Sequence, residues 1–347
     1  MIECADLTKS YGAARGVEGL TFRAEPGEVL GFLGPNGAGK TTAIKVLTGY
    51  FPPASGEARV AGADVAREPF KARSATGYLP ENAPLYPNMT IEGYLGFMLQ
   101  MKRPLFSRAQ RAAEVDRVLA AVDLIKRRGQ RIGDLSKGLR QRAGLAQAIA
   151  GDPSVIILDE PTAGLDPEQA RSARELIRSL ARDGKTVMLS THILSEVEAL
   201  ADKVVIIHEG RIVAQGRPDE LCERDERAFD LVLESANGDK GGSALLEKLS
   251  ASLKKNGKDW SVKKDESRQP GAIHSKAARV SALWMGQGEA DAAALAKSCQ
   301  AAGWSVAELR RRRPGLEEAF MRAISQELGQ RSFTDLAPVG EKKKKGD

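Results

Sequence analysis

Three stretches of the 347-residue chain bring reactive residue types together at spacings that suit phosphate chemistry. In GPNGAGKT, Gly34 to Thr41, a glycine-rich turn follows the apolar run EVLGFL and precedes a helical pattern. Glycines remove the side chains that block close approach, so the N–H groups around Gly37 to Lys40 can converge on a β-phosphate. Lys40 supplies positive charge to the β- and γ-phosphates, and the Thr41 hydroxyl is a ligand for Mg²⁺. In SVIILDEPTAGLD an apolar strand pattern ends in Asp159 and Glu160. A carboxylate at such a strand end reaches the Mg²⁺ shell beside Thr41, the role expected of Asp159. Glu160 is expected to point elsewhere because strand side chains alternate, and to polarise an attacking water as general base. In LSTH, His192 ends the apolar run TVMLS and precedes a helix opened by Ser195. That places it at the same sheet edge as the acids, ready to hydrogen-bond a γ-phosphate and the attacking water.

These residues need a scaffold, and the chain around them has the pattern of one. EVLGFLG, SVIILDE, TVMLSTH and KVVIIHEG read as buried strands, while the segments from Lys40, Pro167 and Leu194 read as helices. Alternation of this kind predicts an α/β domain with a largely parallel sheet over residues 1–225. From Phe229 onward, DLVLES, SVKKD, RVSALWMG and SVAELRRR read as amphipathic strands, with helical stretches at Ser243 to Lys255 and Ala290 to Ala302. A small α+β accessory domain is expected over 226–328, followed by a flexible basic tail at 329–347. RIVAQG as a strand and PDELCERDE as a helix form the junction, and GDKGGS and KDESRQPG read as surface loops.

Composition narrows the function classes. No run approaches the roughly 18 apolar residues that span a membrane, and MIECADLTKS lacks the basic then apolar start of a signal peptide. A soluble, cytosolic chain is expected. Cys4, Cys222 and Cys299 have no metal-ligand spacing and read as reduced packing residues. Much of the net charge of +6 sits in Arg310 to Arg313 and Lys342 to Lys345, the latter read as a solvated run.

A further stretch, DLSKGLRQR at Asp134 to Arg142, reads as a serine-capped helix start far downstream of the phosphate loop. GPNGAGKTT, LSKGLRQR, VIILDEP, AGLD and STH occur in the order found in ATP-binding-cassette (ABC) ATPases, which about the first 220 residues resemble. The resemblance implies a P-loop NTPase cassette with a helical subdomain, from about Pro84 to Arg131, that carries a docking groove. It implies ATP contacts from Gly34, Asn36, Gly37, Gly39, Lys40, Thr41 and Thr42, and Mg²⁺ ligation by Thr41 and Asp159. Tyr11, in KSYG, matches the aromatic residue that stacks on adenine, and Gly164 to Asp166 match the loop linking two sites. Two such cassettes pack head to tail, so Ser136 and Gly138 would serve a partner's nucleotide through a hydroxyl and a helix N-terminus.

Two positions depart from the family pattern. Against the usual LSGGQ, Lys137 stands at a glycine position and Leu139 at the glutamine, which removes the amide expected to contact the sugar. In GYLPEN, Glu81 stands where most relatives carry a lid glutamine; its carboxylate can reach Mg²⁺ but adds negative charge near the phosphates. GYLPENAPLY, LSKGLRQR and the terminal RRRPGLEEAF are similar to ATPase subunits of ABC-2-type exporters of the gliding-motility, multidrug and polysaccharide groups. Such subunits dimerise, here as a homodimer by expectation, on the cytoplasmic face beneath separate membrane permease subunits. Within the helical subdomain, YLGFMLQM suits core and docking surface equally well. The alternative is a soluble mechanical ABC ATPase acting on ribosomes or DNA, with the basic runs as its surface. One uninterrupted cassette speaks against that, and no specific nucleic-acid partner is expected. Lys40, Asp159, Glu160 and His192 together disfavour a non-hydrolysing regulatory subunit.

Overall fold

The computed structural model describes residues 1–11, 14–222, 228–235, 260–264, 277–284, 292–301, 304–311 and 316–327. The chain divides into two units, Met1–Leu221 with Phe320 onward, and Cys222–Ala319. The boundary expected between residues 225 and 226 lies outside the described residues, as do Ser243 to Lys255, both surface loops and the tail.

The first unit is built on two sheets. Strands β1 (Ile2–Tyr11), β2 (Ala14–Ala24), β4 (Ser55–Val60) and β5 (Ala63–Asp64) form an antiparallel sheet in the order β2-β1-β4-β5. The central sheet runs β10-β9-β3-β8-β7-β6, from β3 (Val29–Leu33), β6 (Thr76–Leu79), β7 (Val155–Asp159), β8 (Thr186–Thr191), β9 (Lys203–His208) and β10 (Arg211–Gly216). All its pairings are parallel except β9 with β10. Every residue of β3, β7 and β8 is buried, as a parallel sheet covered on both faces requires. Side chains alternate between two cores: Leu30, Phe32, Val155, Ile157 and Met188 enter one, while Val29, Ile156, Leu158, Val187 and Leu189 enter the other.

Register decides where the chemistry sits. Leu33 pairs with Thr191, Asp159 with Ser190, and Leu158 with Leu79. The strands therefore end together, and the chain leaves each at one edge. Helices α1 (Lys40–Leu47), α2 (Pro69–Ala75), α6 (Pro167–Arg182) and α7 (Leu194–Leu200) occupy the crossovers. The expected serine start of α7 is not what the structure shows: its N-cap is Ile193 with no side-chain cap, and Ser195 lies inside the first turn.

Helices α3 (Ile91–Lys102) and α4 (Arg108–Ala121) form the helical subdomain, each with a side-chain cap. Thr90 accepts from Gly93 N, and Ser107 and Gln110 exchange hydrogen bonds as a capping box. The helix α5 (Lys137–Ile149), beyond the expected 84–131 range, shares their core through Ala143, Leu145, Ala146 and Ile149. YLGFMLQM serves both of its readings in part. Tyr94, Leu95 and Leu99 are buried, whereas Phe97 and Met101 are exposed, because the run is apolar all round a helix that has only one face covered.

In the second unit β11 (Ala228–Ser235), β12 (Trp260–Lys264), β13 (Ala277–Trp284) and β14 (Trp304–Arg311) pair antiparallel in the order β12-β13-β11-β14. Phe229, Leu231 and Leu233 are buried at period two, and Leu295 and Cys299 are buried on α9 (Ala292–Ala301). The last described helix is α10 (Leu316–Glu327). The remaining helix of the first unit, α8 (Pro218–Leu221), is the described part of the junction PDELCERDE. Among the described residues no helix is long and apolar enough to cross a membrane.

Gly77 on β6 shows how closely α5 approaches the sheet, since a Cβ there would lie 2.0 Å from the Ala148 carbonyl oxygen. Gly77→Ala should therefore cost about 1–3 kcal/mol by overpacking, read as a melting midpoint lowered by several degrees. Gly96→Ala, on α3 with nothing within 4 Å, should instead leave the midpoint unchanged or raise it slightly.

Candidate functional site

Lys40 opens α1 from a left-handed Gly39 with φ 106°. Its Nζ donates to Gly34 O at 2.6 Å and to Pro35 O at 3.2 Å, which curls the side chain back over the loop. Burial lowers the Lys40 pKa, and the charges of Glu160, Asp159 and Glu81 oppose that shift. One ammonium and three carboxylates thus form a single electrostatic cluster at the sheet edge.

The loop glycines have different reasons to be glycine. At Gly34 a Cβ would lie 2.4 Å from Ile207 O, so the position admits no side chain. Gly37 has open space around it but a φ of 83°, so its requirement is conformational. Gly39 meets both limits, and its Cβ would lie 2.6 Å from Gly16 O. Gly16 and Gly210 are site residues that the sequence reading missed. Gly210, at φ 82°, donates to Ala38 O and accepts from Glu18 N, and Gly16 O lies 3.0 Å from where a Gly210 Cβ would stand. Isolated glycines carry no motif, so nothing in the sequence joins 16, 39 and 210.

Gly16 also joins the phosphate loop to Tyr11. A Cβ on it would approach Thr42 Cγ2 at 2.9 Å and Tyr11 Cε2 at 3.2 Å. The Tyr11 ring is 41% exposed and meets Phe51 edge-on with centroids 5.7 Å apart. Lys9 Nζ lies 5.9 Å from the Tyr11 centroid and 5.5 Å from that of Phe51. Thr41, Asn36 and Gly37 are exposed beside this aromatic wall, and Thr42 is half-buried.

Asp159 is buried at the end of β7, and its pKa is raised chiefly by that burial. The charges of Glu160 and Glu81 add to the rise, while Lys40 opposes it. Ser190 Oγ, on the paired residue of β8, is near enough to temper the shift yet meets no partner at hydrogen-bonding geometry. Glu81 is exposed, in the bend after β6, and acts on Lys40 and Asp159 through charge alone.

Glu160 departs from Asp159 in direction, but not through strand alternation as expected. The strand ends at Asp159, and Glu160 takes a left-handed φ of 50°, rare for a residue with a Cβ. The turn is held by Glu160 N donating to Ser190 O at 2.9 Å and by Gln141 Nε2 donating to Glu160 O and Pro161 O, each at 3.2 Å. Gln141 lies inside LSKGLRQR and was a site residue hidden there by its helical surroundings. The Glu160 carboxylate faces His192: Oε1 accepts from His192 N at 3.1 Å and lies 2.6 Å from its Nδ1. Oε2 accepts from Thr191 Oγ1 at 3.2 Å.

Ser136 and Gly138 belong to a second group. Ser136 caps α5 through Leu139 N at 3.4 Å, and Gly138 is pressed against Gln169, whose Oε1 would lie 2.3 Å from an added Cβ. Asp166 caps α6 and accepts from Gln169 N at 2.8 Å, while Gly164, at φ 75°, packs under Lys137. The structure therefore gathers Lys40, Asp159, Glu160, His192 and Glu81 at one place, and Ser136, Gly138 and Asp166 at another. Gln141 connects the two groups through the backbone of Glu160 and Pro161.

The family profile described as ABC transporter matches residues 17–163. Nod factor export ATP-binding protein I of Paraburkholderia xenovorans (strain LB400) is 40% identical over 221 residues, covering 63% of this chain and 72% of the relative. This chain belongs to the ABC transporter family. The ABC cassette accounts for its P-loop NTPase fold and for ATP binding and hydrolysis. Linearmycin resistance ATP-binding protein LnrL of Bacillus subtilis (strain 168) is 36% identical over 225 residues, covering 65% of this ABC protein and 71% of its own length. Among solved structures, an ATP-binding subunit of an ABC transporter superposes with a TM-score of 0.59 at 33% identity, covering 64% of this chain and 91% of that one. A dimeric post-hydrolysis cassette bound to ADP and Pi shares the ABC fold at 24% identity, with a TM-score of 0.59 and coverage of 62% and 98%.

The raised pKa of Asp159 gives this ABC site a measurable cost. The folded carboxyl holds its proton more tightly than the unfolded one, whose value is 3.8. The folded state consequently binds more protons between the two values, and stability falls as pH rises from the unfolded value through the raised one. Asp159→Asn should melt above the parent at about pH 7.5, with the gain shrinking as the pH is lowered toward about 4. The same variant should lose stabilisation by ATP with Mg²⁺; both effects are read by thermal melting.

Proposed function

We propose that the chain is the ATP-hydrolysing subunit of an ABC-2-type exporter, two copies closing head to tail around two ATP molecules beneath separate membrane permease subunits. The relatives named for Nod factor export and linearmycin resistance support the export reading. A cytoplasmic position on the inner face of the membrane, held through those permeases, follows from the same reading. The observation that carries the mechanism is the buried Glu160 carboxylate held by His192 one residue beyond Asp159 and within the field of Lys40. A soluble cassette acting on ribosomes or DNA has no comparable support: of the basic runs at Arg310 to Arg313 and Lys342 to Lys345, only the Arg310 side chain is among those described, and it pairs with Glu308.

Each residue has a task in this reading. The loop N–H groups from Gly34 to Thr42, together with Asn36 and Lys40, hold the β- and γ-phosphates, and Tyr11 stacks on the adenine. Glu160 accepts the proton of the attacking water through a carboxylate oxygen, and His192 orients Glu160 and reaches toward the γ-phosphate. Ser136 and Gly138 face the partner's ATP, and Asp166 fixes the loop between the two sites. A divalent cation fits the residues present: Asp159 is a buried carboxyl without an adequate counter-charge, with an unpaired Ser190 hydroxyl beside it. Asp159, Thr41 and Glu81 would hold Mg²⁺, which neutralises phosphate charge when bound. Among the described residues no three of His, Cys, Asp and Glu converge as a complete ligand set, so nucleotide and water oxygens must complete it. The cassette is assigned to 1–225, and the accessory unit over 226–328, which has no phosphate or metal motif, is assigned to regulation or assembly rather than catalysis.

Glu160→Gln should bind ATP normally, hydrolyse it at least about a hundredfold more slowly, and accumulate as an ATP-bound dimer on size exclusion. Hydrolysis at the parental rate would remove Glu160 as the base. The composite site is tested by mixing Lys40→Ala and Ser136→Arg chains: one intact site should form in the mixed dimer, so the mixture must hydrolyse faster than either variant alone. Equal inactivity of all three samples would exclude the head-to-tail arrangement.

A further inference from the structure

Glu196 is a buried carboxylate on α7 for which the sequence motifs and the mechanism above have no use. Its Oε1 accepts from the Thr162 hydroxyl, and its Oε2 accepts from Thr191 Oγ1 at 3.3 Å. The same Thr191 hydroxyl lies 3.2 Å from Glu160 Oε2. Thr191 Oγ1 is already an acceptor, from Ile193 N at 3.1 Å, and a hydroxyl has only one proton to give. Two buried carboxylates therefore compete for one hydrogen bond. The other oxygen of each is engaged, Glu160 Oε1 by His192 and Glu196 Oε1 by Thr162.

From this geometry we infer that Glu196 is a positioning residue for hydrolysis. It draws the Thr191 proton to itself and leaves Glu160 Oε2 open to receive the proton of the attacking water. Thr162 sets how well it does so. That residue begins the loop that runs to the α6 cap at Asp166, and its hydroxyl holds the Glu196 carboxylate in line with Thr191. The turn after β7, the turn after β8 and α7 are thereby locked into one unit, so the state of the 162–166 loop reaches the base through a single shared proton. The inference rests on Glu160 acting as the base.

The test uses the full chain and replaces Glu196 with its neutral isostere. In Glu196→Gln the amide is a weaker acceptor than the carboxylate, so the Thr191 proton passes to Glu160 Oε2 and occupies it. The kcat for ATP hydrolysis should fall roughly tenfold, with ATP affinity within about twofold of the parent. Thr191→Val removes the contested proton at nearly constant volume. Added to Glu196→Gln, it should restore kcat to within about threefold of the parent. A merely structural Glu196 predicts the opposite, a double variant as slow as the single one or slower, and that result would overturn the inference, as would a parental kcat in Glu196→Gln. Glu160→Gln, measured alongside, separates the two claims. If it is slow while Glu196→Gln is parental, only the inference fails; if it is itself parental, the assignment of Glu160 as the base fails.

Discussion

Burying charge at the edge of the parallel sheet is the constraint on which this structure depends. Lys40 and Asp159 are buried, each is pushed toward its neutral form by loss of water, and each is returned toward its charged form by the other. The balance is incomplete, because Glu160 adds a second buried carboxylate, and Glu81 an exposed one, to the field of a single ammonium. An excess of buried negative charge is tolerable only in a scaffold that holds it rigidly, and it leaves the site in electrostatic need of cations. Stability is given up at the place where the proposed function puts a nucleotide and its metal.

The rigidity comes from backbone rather than from side chains. Gly16, Gly39 and Gly210 let three loops from distant parts of the sequence touch through main-chain atoms. The left-handed Glu160 is held by a hydrogen bond from its own N–H to Ser190 O and by Gln141 on its carbonyl. Gln141 matters for a second reason: it reaches from α5, which Ser136 caps, to the turn that carries Glu160. A movement of α5 has a direct route to the Glu160 turn.

One expectation that failed and one only half met share a cause. Ser195 looks like a cap because serine is a good one, but the extended backbone after β8 places the N-cap two residues earlier, at Ile193. YLGFMLQM is apolar all round, so neither its hydrophobicity nor its periodicity can say which residues are covered. That depends on where α4 and α5 lie, and they cover Tyr94, Leu95 and Leu99 while leaving Phe97 and Met101 open.

The sequence by itself determined the α/β character of the cassette, the order of its buried strands, and the phosphate-loop, acidic and histidine positions. Each of these is a local pattern: a run of apolar residues, a glycine spacing, or a polar residue at a strand end. Only the tertiary structure decided that Gly16 and Gly210 support the phosphate loop, that Gln141 holds the Glu160 turn, and that Glu196 and Glu160 meet at one threonine hydroxyl. The contacts of Glu160 with Gln141 and with Thr191 span 19 and 31 positions, and Gly16 and Gly210 come from opposite ends of the first unit, so no local pattern encodes them. They exist because strands of a parallel sheet end in register, and register brings together the residues that follow each strand however far apart they stand in the chain.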